Sequence, residues 1–213
     1  MNSRSGLGRV DHLVWSTPDL DAGIRQIERL TGVRAIAGGS HPGVGTRNAL
    51  LSLGALAYLE IIGPDSDQSD YRIPRVFQLD NISEPRLVTW AANTTDLAAC
   101  AGMSFPDGQS LGPLMAMSRR RADGMILEWE MTDPYVEIDD GVVPFMIDWA
   151  DTPHPAESGP QQLALVELHL RHPNPQAVRE KLSAMCIAVT VAQSIHPELI
   201  AIIDSPRGQI ELR

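Results

Sequence analysis

Two matched pairs of strand-like segments constrain this chain more than any other feature. Arg9-Val-Asp-His-Leu-Val-Trp15 alternates apolar and polar residues ahead of a helical pattern, and Ala57-Tyr-Leu-Glu-Ile-Ile-Gly-Pro64 closes the unit that follows. Each run carries one metal-capable side chain in apolar surroundings, His12 in the first and Glu60 in the second. Near the C-terminus, Leu165-Val-Glu-Leu-His-Leu170 precedes another helical stretch and the chain ends Gly208-Gln-Ile-Glu-Leu-Arg213, which gives the pair His169 and Glu211. The separations are 48 residues from 12 to 60 and 42 residues from 169 to 211, the scale of a repeated structural module.

The segments between them fill out the modules. Pro18 opens a helix that Thr17 or Asp19 caps. Leu20, Ile24, Ile27 and Leu30 recur on one helical face, and Gly32 stops it. Short strands at 33–37, 47–53 and 57–62 complete a βαβββ unit. Residues 65–85 read as a connector. A second such unit has a strand at 87–91, a short helix from about 95 capped by Thr94 or Thr95, and a hairpin of strands 114–119 and 125–131 around Ala122-Asp-Gly124. Aligning Pro64 with Pro134 sets Glu130 in the place of Glu60. Aligning Asp19-Leu20 with Asp96-Leu97 sets Thr89 in the place of His12. An additional strand is expected at 142–149 and a linker at 151–160. A third βαβββ-like unit runs from 162 to the end, with a helix at 175–185.

Composition bounds the rest. The 213 residues fit one large domain or two small ones, and 43% hydrophobic with 21% charged residues is ordinary for a globular protein. A net charge of −10 argues against nucleic acid, which demands a basic stripe. The one basic run, Arg119-Arg120-Arg121, reads as the decoration of a hairpin. There is no apolar stretch of membrane-spanning length and no apolar leader core, so no membrane association is expected and the cytoplasm is the expected compartment. Cys100 and Cys186 lie in or beside helical segments and indicate no disulfide framework.

The first module resembles the vicinal oxygen chelate superfamily, in its glyoxalase-like branch, the fold of glyoxalases, bleomycin-resistance proteins and extradiol dioxygenases. The residues that carry the resemblance are Val10-Asp-His-Leu-Val-Trp15, Pro18-Asp-Leu-Asp21, Gly38-Gly-Ser-His-Pro-Gly-Val-Gly-Thr-Arg-Asn48 and Tyr58-Leu-Glu-Ile-Ile62. It implies an α+β fold in which repeated βαβββ modules form curved mixed sheets, or half-barrels. A glyoxalase-like domain is expected over residues 8–150, with a third module over 162–213 packed on it or on a partner subunit. Sequence leaves open which modules pair.

The resemblance also implies chemistry. The first strand of a module often ends in a His ligand and the last in a Glu ligand. If modules one and two pair, the candidate site is His12, Glu60 and Glu130. If one and three meet, within a chain or across a homodimer, it is His12, Glu60, His169 and Glu211, similar to the four-ligand set of metal-dependent glyoxalases. Such N and O donors suit Fe, Mn, Ni or Zn. The metal would chelate two vicinal oxygens of a compact substrate, and Glu60 or Glu130, once released, would act as general base. The glycine-rich run to Asn48 is not a phosphate loop, and no nucleotide cofactor is expected. At a barrel mouth it would bring His41, Arg47 and Asn48 to a ligand; the plain alternative is a hairpin with an exposed His. A glyoxalase-like small-molecule enzyme of lyase, isomerase or dioxygenase type follows as the leading expectation. A metal-free protein that binds or sequesters a ligand is the alternative, favoured by Thr89 in place of a second His.

Overall fold

The computed structural model describes residues 9–121 and 124–213. The expectations that fall on the N-terminal eight residues and on Ala122-Asp123 of the hairpin turn lie outside these.

The first module comprises β1 (Val10–Ser16), α1 (Leu20–Thr31), β2 (Ile36–His41), β3 (Thr46–Ser52) and β4 (Tyr58–Pro64). Asp19 is the helix cap, its carboxylate accepting from Ala22 N at 2.9 Å, and Gly32 closes the helix at φ 78°. The buried stripe of α1 is Leu20, Gly23, Ile27 and Thr31, while Leu30, expected on the apolar face, is exposed. The stripe advances by three and four residues and has rotated past Leu30 by the last turn.

The second module repeats the plan with β5 (Arg86–Asn93), α2 (Leu97–Cys100), β6 (Leu114–Arg120), β7 (Ile126–Thr132) and β8 (Phe145–Asp148). Asp96, rather than Thr94 or Thr95, caps α2, as Asp19 caps α1. The two modules close one eight-stranded barrel in the order β1-β4-β3-β2-β6-β7-β8-β5. In each half the first strand lies parallel to the last: β1 beside β4, and β5 beside β8. Hence the segment expected as an extra strand at 142–149 is the closing strand of module two. Equivalent hydrogen bonds, Thr17 N to Ile62 O at 2.9 Å and Thr94 N to Ile147 O at 3.0 Å, fix the internal match. Counting back from them puts Thr89 in the place of His12 and Phe145, not Glu130, in the place of Glu60. Glu130 sits on β7, which has β3 as its counterpart.

The third module comprises β9 (Ala164–His172), α3 (Pro175–Ala184), β10 (Val191–Gln193), β11 (Glu198–Ser205) and β12 (Gly208–Leu212). It has the expected element order but another pairing, β10-β9-β11-β12, with β12 at an edge and two strands away from β9. Its apolar face packs within the chain. Leu168, Leu170, Leu199, Ala201, Ile203 and Leu212 share one buried cluster with Leu13, Trp15, Leu59 and Ile61 of the barrel's outer surface. Backbone bonds from Leu165 N to Leu53 O and from Leu87 N to Arg213 O tie it down. So does buried Lys181 of α3, which donates to Asp139 at 2.9 Å. Among the described residues no helix is long and apolar enough to cross a membrane.

Candidate functional site

A strand faces the barrel interior with every second residue. His12 of β1, Tyr58, Glu60 and Ile62 of β4, Thr46 and Asn48 of β3, and Met117 and Arg119 of β6 therefore converge on one interior cavity. Trp129, Met131, Phe145, Ile147 and Trp149 build its second wall. The connector expected at 65–85 crosses the barrel and contributes Val76 and Phe77. Phe77 stacks on Phe145 with centroids 5.5 Å apart, and its carbonyl accepts from Ser16 Oγ.

His12 lies between two carboxylates. Its Nδ1 is 2.7 Å from Asp11 Oδ1, and its Nε2 is 3.8 Å from Glu60 Oε2. The imidazole stacks on Tyr58, centroids 4.6 Å apart. Asp11 is fully buried and also accepts from Trp149 Nε1 at 3.0 Å and meets His154 Nε2 at 3.1 Å. His154 Nδ1 accepts from Ala156 N, which leaves its proton on Nε2, facing Asp11. Burial pushes the Asp11 carboxyl up, but the hydrogen bonds from His12 and His154 outweigh this and hold it below the ordinary carboxylate range. Asp11 holds Nδ1 of His12 and so turns Nε2 toward Glu60 and the cavity.

The other side of Glu60 is equally defined. Asn48 Nδ2 donates to Glu60 Oε1 at 2.5 Å and faces His41 Nε2 at 3.3 Å, and Asn48 Oδ1 accepts from Arg119 Nη1 at 3.3 Å. His41 Nδ1 in turn meets Thr46 Oγ1 at 2.8 Å. Burial pulls His41 down to about 4, against the opposing pull of Glu60, so its ring is neutral near pH 7. The pair Gly38-Gly39 of β2 makes room for this network. A Cβ on Gly38 would stand 1.9 Å from Asn48 Oδ1, and one on Gly39 would stand 2.1 Å from Arg120 O.

The structure brings together His12, His41, Asn48 and Glu60 and separates the other expected residues from them. Arg47 lies between Thr46 and Asn48 on β3 and so points outward, 3.5 Å from Asp21 of α1. Adjacent strand residues cannot both face the cavity. His41 ends strand β2 and is buried, so the run from Gly38 is not an open loop. Glu130 and its neighbour Glu128 are exposed on the outer face of β7. His169 pairs with Glu167 at 2.9 Å on the solvent side of β9, and Glu211 pairs with Arg213 at 2.5 Å on the edge strand. Within one chain the four-ligand set is therefore not assembled. Among the described residues no group of three or more His, Cys, Asp and Glu is placed to hold a metal ion. His12 and Glu60 offer two donors where such ions take three or four, so the residues of one chain do not fit that set.

Sequence reasoning missed Asp11, Tyr58, Arg119 and His154. Asp11 is an acidic residue inside an apolar strand, a signal that was available. Arg119 was masked by the basic run around it, and His154 reaches Asp11 only through tertiary folding.

Comparison with known proteins agrees with this architecture. A family model described as a glyoxalase-like domain matches residues 10–186. No curated protein matches by sequence. A hypothetical protein from Staphylococcus aureus has a similar structure with a TM-score of 0.61 and 14% identity, covering 95% of this chain and 83% of that one. Methylmalonyl-CoA epimerase from Streptomyces coelicolor, in complex with 2-nitronate-propionyl-CoA, matches with a TM-score of 0.42 and 21% identity, over 69% of this chain and 98% of that one. The same enzyme from Mycobacterium tuberculosis gives a TM-score of 0.37 and 18% identity, over 69% and 90%. With most of its length matched by the family model and its barrel closed by two βαβββ halves, the chain belongs to the glyoxalase-like domain family of the vicinal oxygen chelate superfamily.

Proposed function

We propose that this chain is a small-molecule enzyme whose reaction is a proton transfer at a carbon beside a carbonyl group, with Glu60 and His12 exchanging the proton. The observation that carries the reading is the buried His12–Glu60 pair, 3.8 Å apart, with ionised Asp11 behind His12. That spacing is too long for a hydrogen bond and leaves room for substrate atoms beside both groups. Glu60 Oε1 is engaged by Asn48, which leaves Oε2 for the substrate. Asp11 does for His12 what an orienting carboxylate does in any base–orienter pair: it fixes the tautomer and stabilises the imidazolium once formed. The apolar walls from Tyr58, Phe145, Trp129 and Trp149 exclude water and strengthen these charges.

Geometry narrows the class. The two groups stand side by side, so they serve one face of a bound substrate. Movement of a proton between adjacent atoms, as in a keto–enol isomerisation, suits them. Inversion by two bases on opposite faces does not. A substrate with vicinal oxygens, as expected for this superfamily, offers such adjacent positions.

A second reading keeps the divalent metal. What favours it is Asp11 at Nδ1 of His12, an arrangement also used to orient metal-bound imidazoles. His12 and Glu60 would be the ligands from this chain, and the remaining ones would have to come from substrate, solvent or another subunit. Metal analysis of protein purified without chelator separates the two. Stoichiometric Fe, Mn, Ni or Zn that disappears in His12→Ala supports the metal, and incorporation of solvent deuterium by protein stripped of metal supports the proton-transfer reading. Tight ligand binding with no exchange in either form would point to sequestration.

A further inference from the structure

The cavity also holds a cation that the proton transfer does not use. Arg119 of β6 is 4% exposed, its side chain donates from Nη1 to Asn48 Oδ1, and its Nε is without a partner among the described residues. Among the described residues no carboxylate forms an ion pair with it. Burial pulls its guanidinium below the ordinary value, with Tyr58 and Glu60 opposing. A desolvated guanidinium normally acquires an anionic partner, because an unpaired buried charge is costly. The fold nonetheless keeps the group and makes room for it: a Cβ on Gly38 would stand 2.9 Å from its Nη1, and one on Gly39 3.0 Å from its Cγ. The space beside the guanidinium is the cavity itself.

We propose that Arg119 anchors a carboxylate of the ligand, so that the site takes a compact carboxylic acid of the 2-oxo or 2-hydroxy class. The planar fork of a guanidinium matches a carboxylate through two parallel hydrogen bonds. A single amide side chain, Asn48, separates Arg119 from Glu60. The anchored carboxyl group therefore lies close to the carbon from which Glu60 would take a proton. This placement of the reacting carbon rests on the proton-transfer reading, whereas the anchoring of the anion does not.

Calorimetric titration of the full chain with 2-oxobutanoate, 2-hydroxybutanoate, the neutral 2-oxobutanamide and inorganic phosphate tests the assignment. The carboxylates should bind the wild type, the amide at least about tenfold more weakly, the scale of one charged hydrogen-bonded contact. Arg119→Gln should lower carboxylate affinity by at least about tenfold, and Arg119→Lys, which keeps the charge but not the fork, should lie between. Arg47→Ala, whose guanidinium lies outside the barrel, should leave affinity unchanged. If Arg119→Gln does not fold, the Lys variant decides, and wild-type affinity in a folded Lys variant overturns the proposal. Failure of both carboxylates to bind the wild type, equal binding of the amide, or tighter binding of phosphate also overturns it. Glu60→Gln should still bind the carboxylates. Loss of exchange with binding intact therefore concerns the proton-transfer reading, and loss of binding in Arg119→Gln concerns the anchor.

Discussion

His12 and Glu60 face each other because β1 and β4 run parallel in a register that opposes His12 to Tyr58 and Val14 to Glu60. Glu60 is two residues beyond Tyr58 and points to the same side of the sheet. The register thus sets Tyr58 as the platform on which His12 stacks and brings Glu60 Oε2 to 3.8 Å from its Nε2. Asn48 of β3 and Asp11 of β1 then immobilise the two groups from outside the pair. The geometry depends on backbone pairing at the centre of the barrel, which suits a site that has to hold its groups rigidly.

Stability should fall with acid because of His41. Its pKa in the folded protein is about 4 against 6.5 in an unfolded chain, and the cause is burial. The unfolded state binds a proton on this residue below pH 6.5 while the folded state does not, so stability is fully present above 6.5 and declines toward about 4. The loss attributable to this one residue is at most about 3 kcal/mol. Urea unfolding at pH 7 and pH 4.5 checks it: His41→Gln should flatten the difference, and an undiminished difference would assign it to other groups.

Gly38→Ala should disturb both site and fold. The new Cβ would fall 1.9 Å from Asn48 Oδ1, at a residue that holds both Glu60 and Arg119. A cost of about 1–3 kcal/mol, the range for overpacking a core, is expected in denaturant midpoints, together with weakened ligand binding. Gly43→Ala is the control. It has open space around it and only the strain of φ 75° to bear, so it should cost about 1 kcal/mol and leave binding unchanged.

Deletion of residues 162–213 should give insoluble protein. It would uncover Leu13, Trp15, Leu59 and Ile61 on the outside of the barrel and leave Asp139 without Lys181. An apolar surface of that kind drives association. A soluble, cooperatively folding fragment of residues 1–160 would contradict this. The dimer expected from the sequence rested on an apolar sheet face that the chain covers by itself, so the mass in solution has to be measured on its own account.

Much of the barrel was legible in the sequence, since the alternation in β1 and β4, the Asp19 cap and the Gly32 stop are local signals. Pro64 and Pro134 look equivalent in sequence, which puts Glu130 in the place of Glu60 and leaves 142–149 as an extra strand. Only strand pairing shows that β8, with Phe145 in the place of Glu60, closes that half. In the third module the same element order hides a different strand order, and local patterns carry no information about which strands pair. His12 and Glu60 stood out as polar residues in apolar strands. Asp11 carries the same signal beside His12, and strand alternation sends Arg47 and Asn48 to opposite faces although they are neighbours in sequence. Arg119 and His154 reach the site from distant segments, and nothing local marks them.

The most direct test of the account is deuterium incorporation in D₂O, followed by proton NMR on 2-oxo and 2-hydroxy carboxylic acids with the purified full chain. The wild type should exchange a carbon-bound proton next to the carbonyl of at least one of them. Glu60→Gln, folded by circular dichroism, should be slower by at least about 10²-fold, the lower end of what a positioned acid–base group contributes. A wild type that exchanges none of these protons, or a Glu60→Gln variant that exchanges them at the wild-type rate, would contradict the assignment of proton transfer to this site.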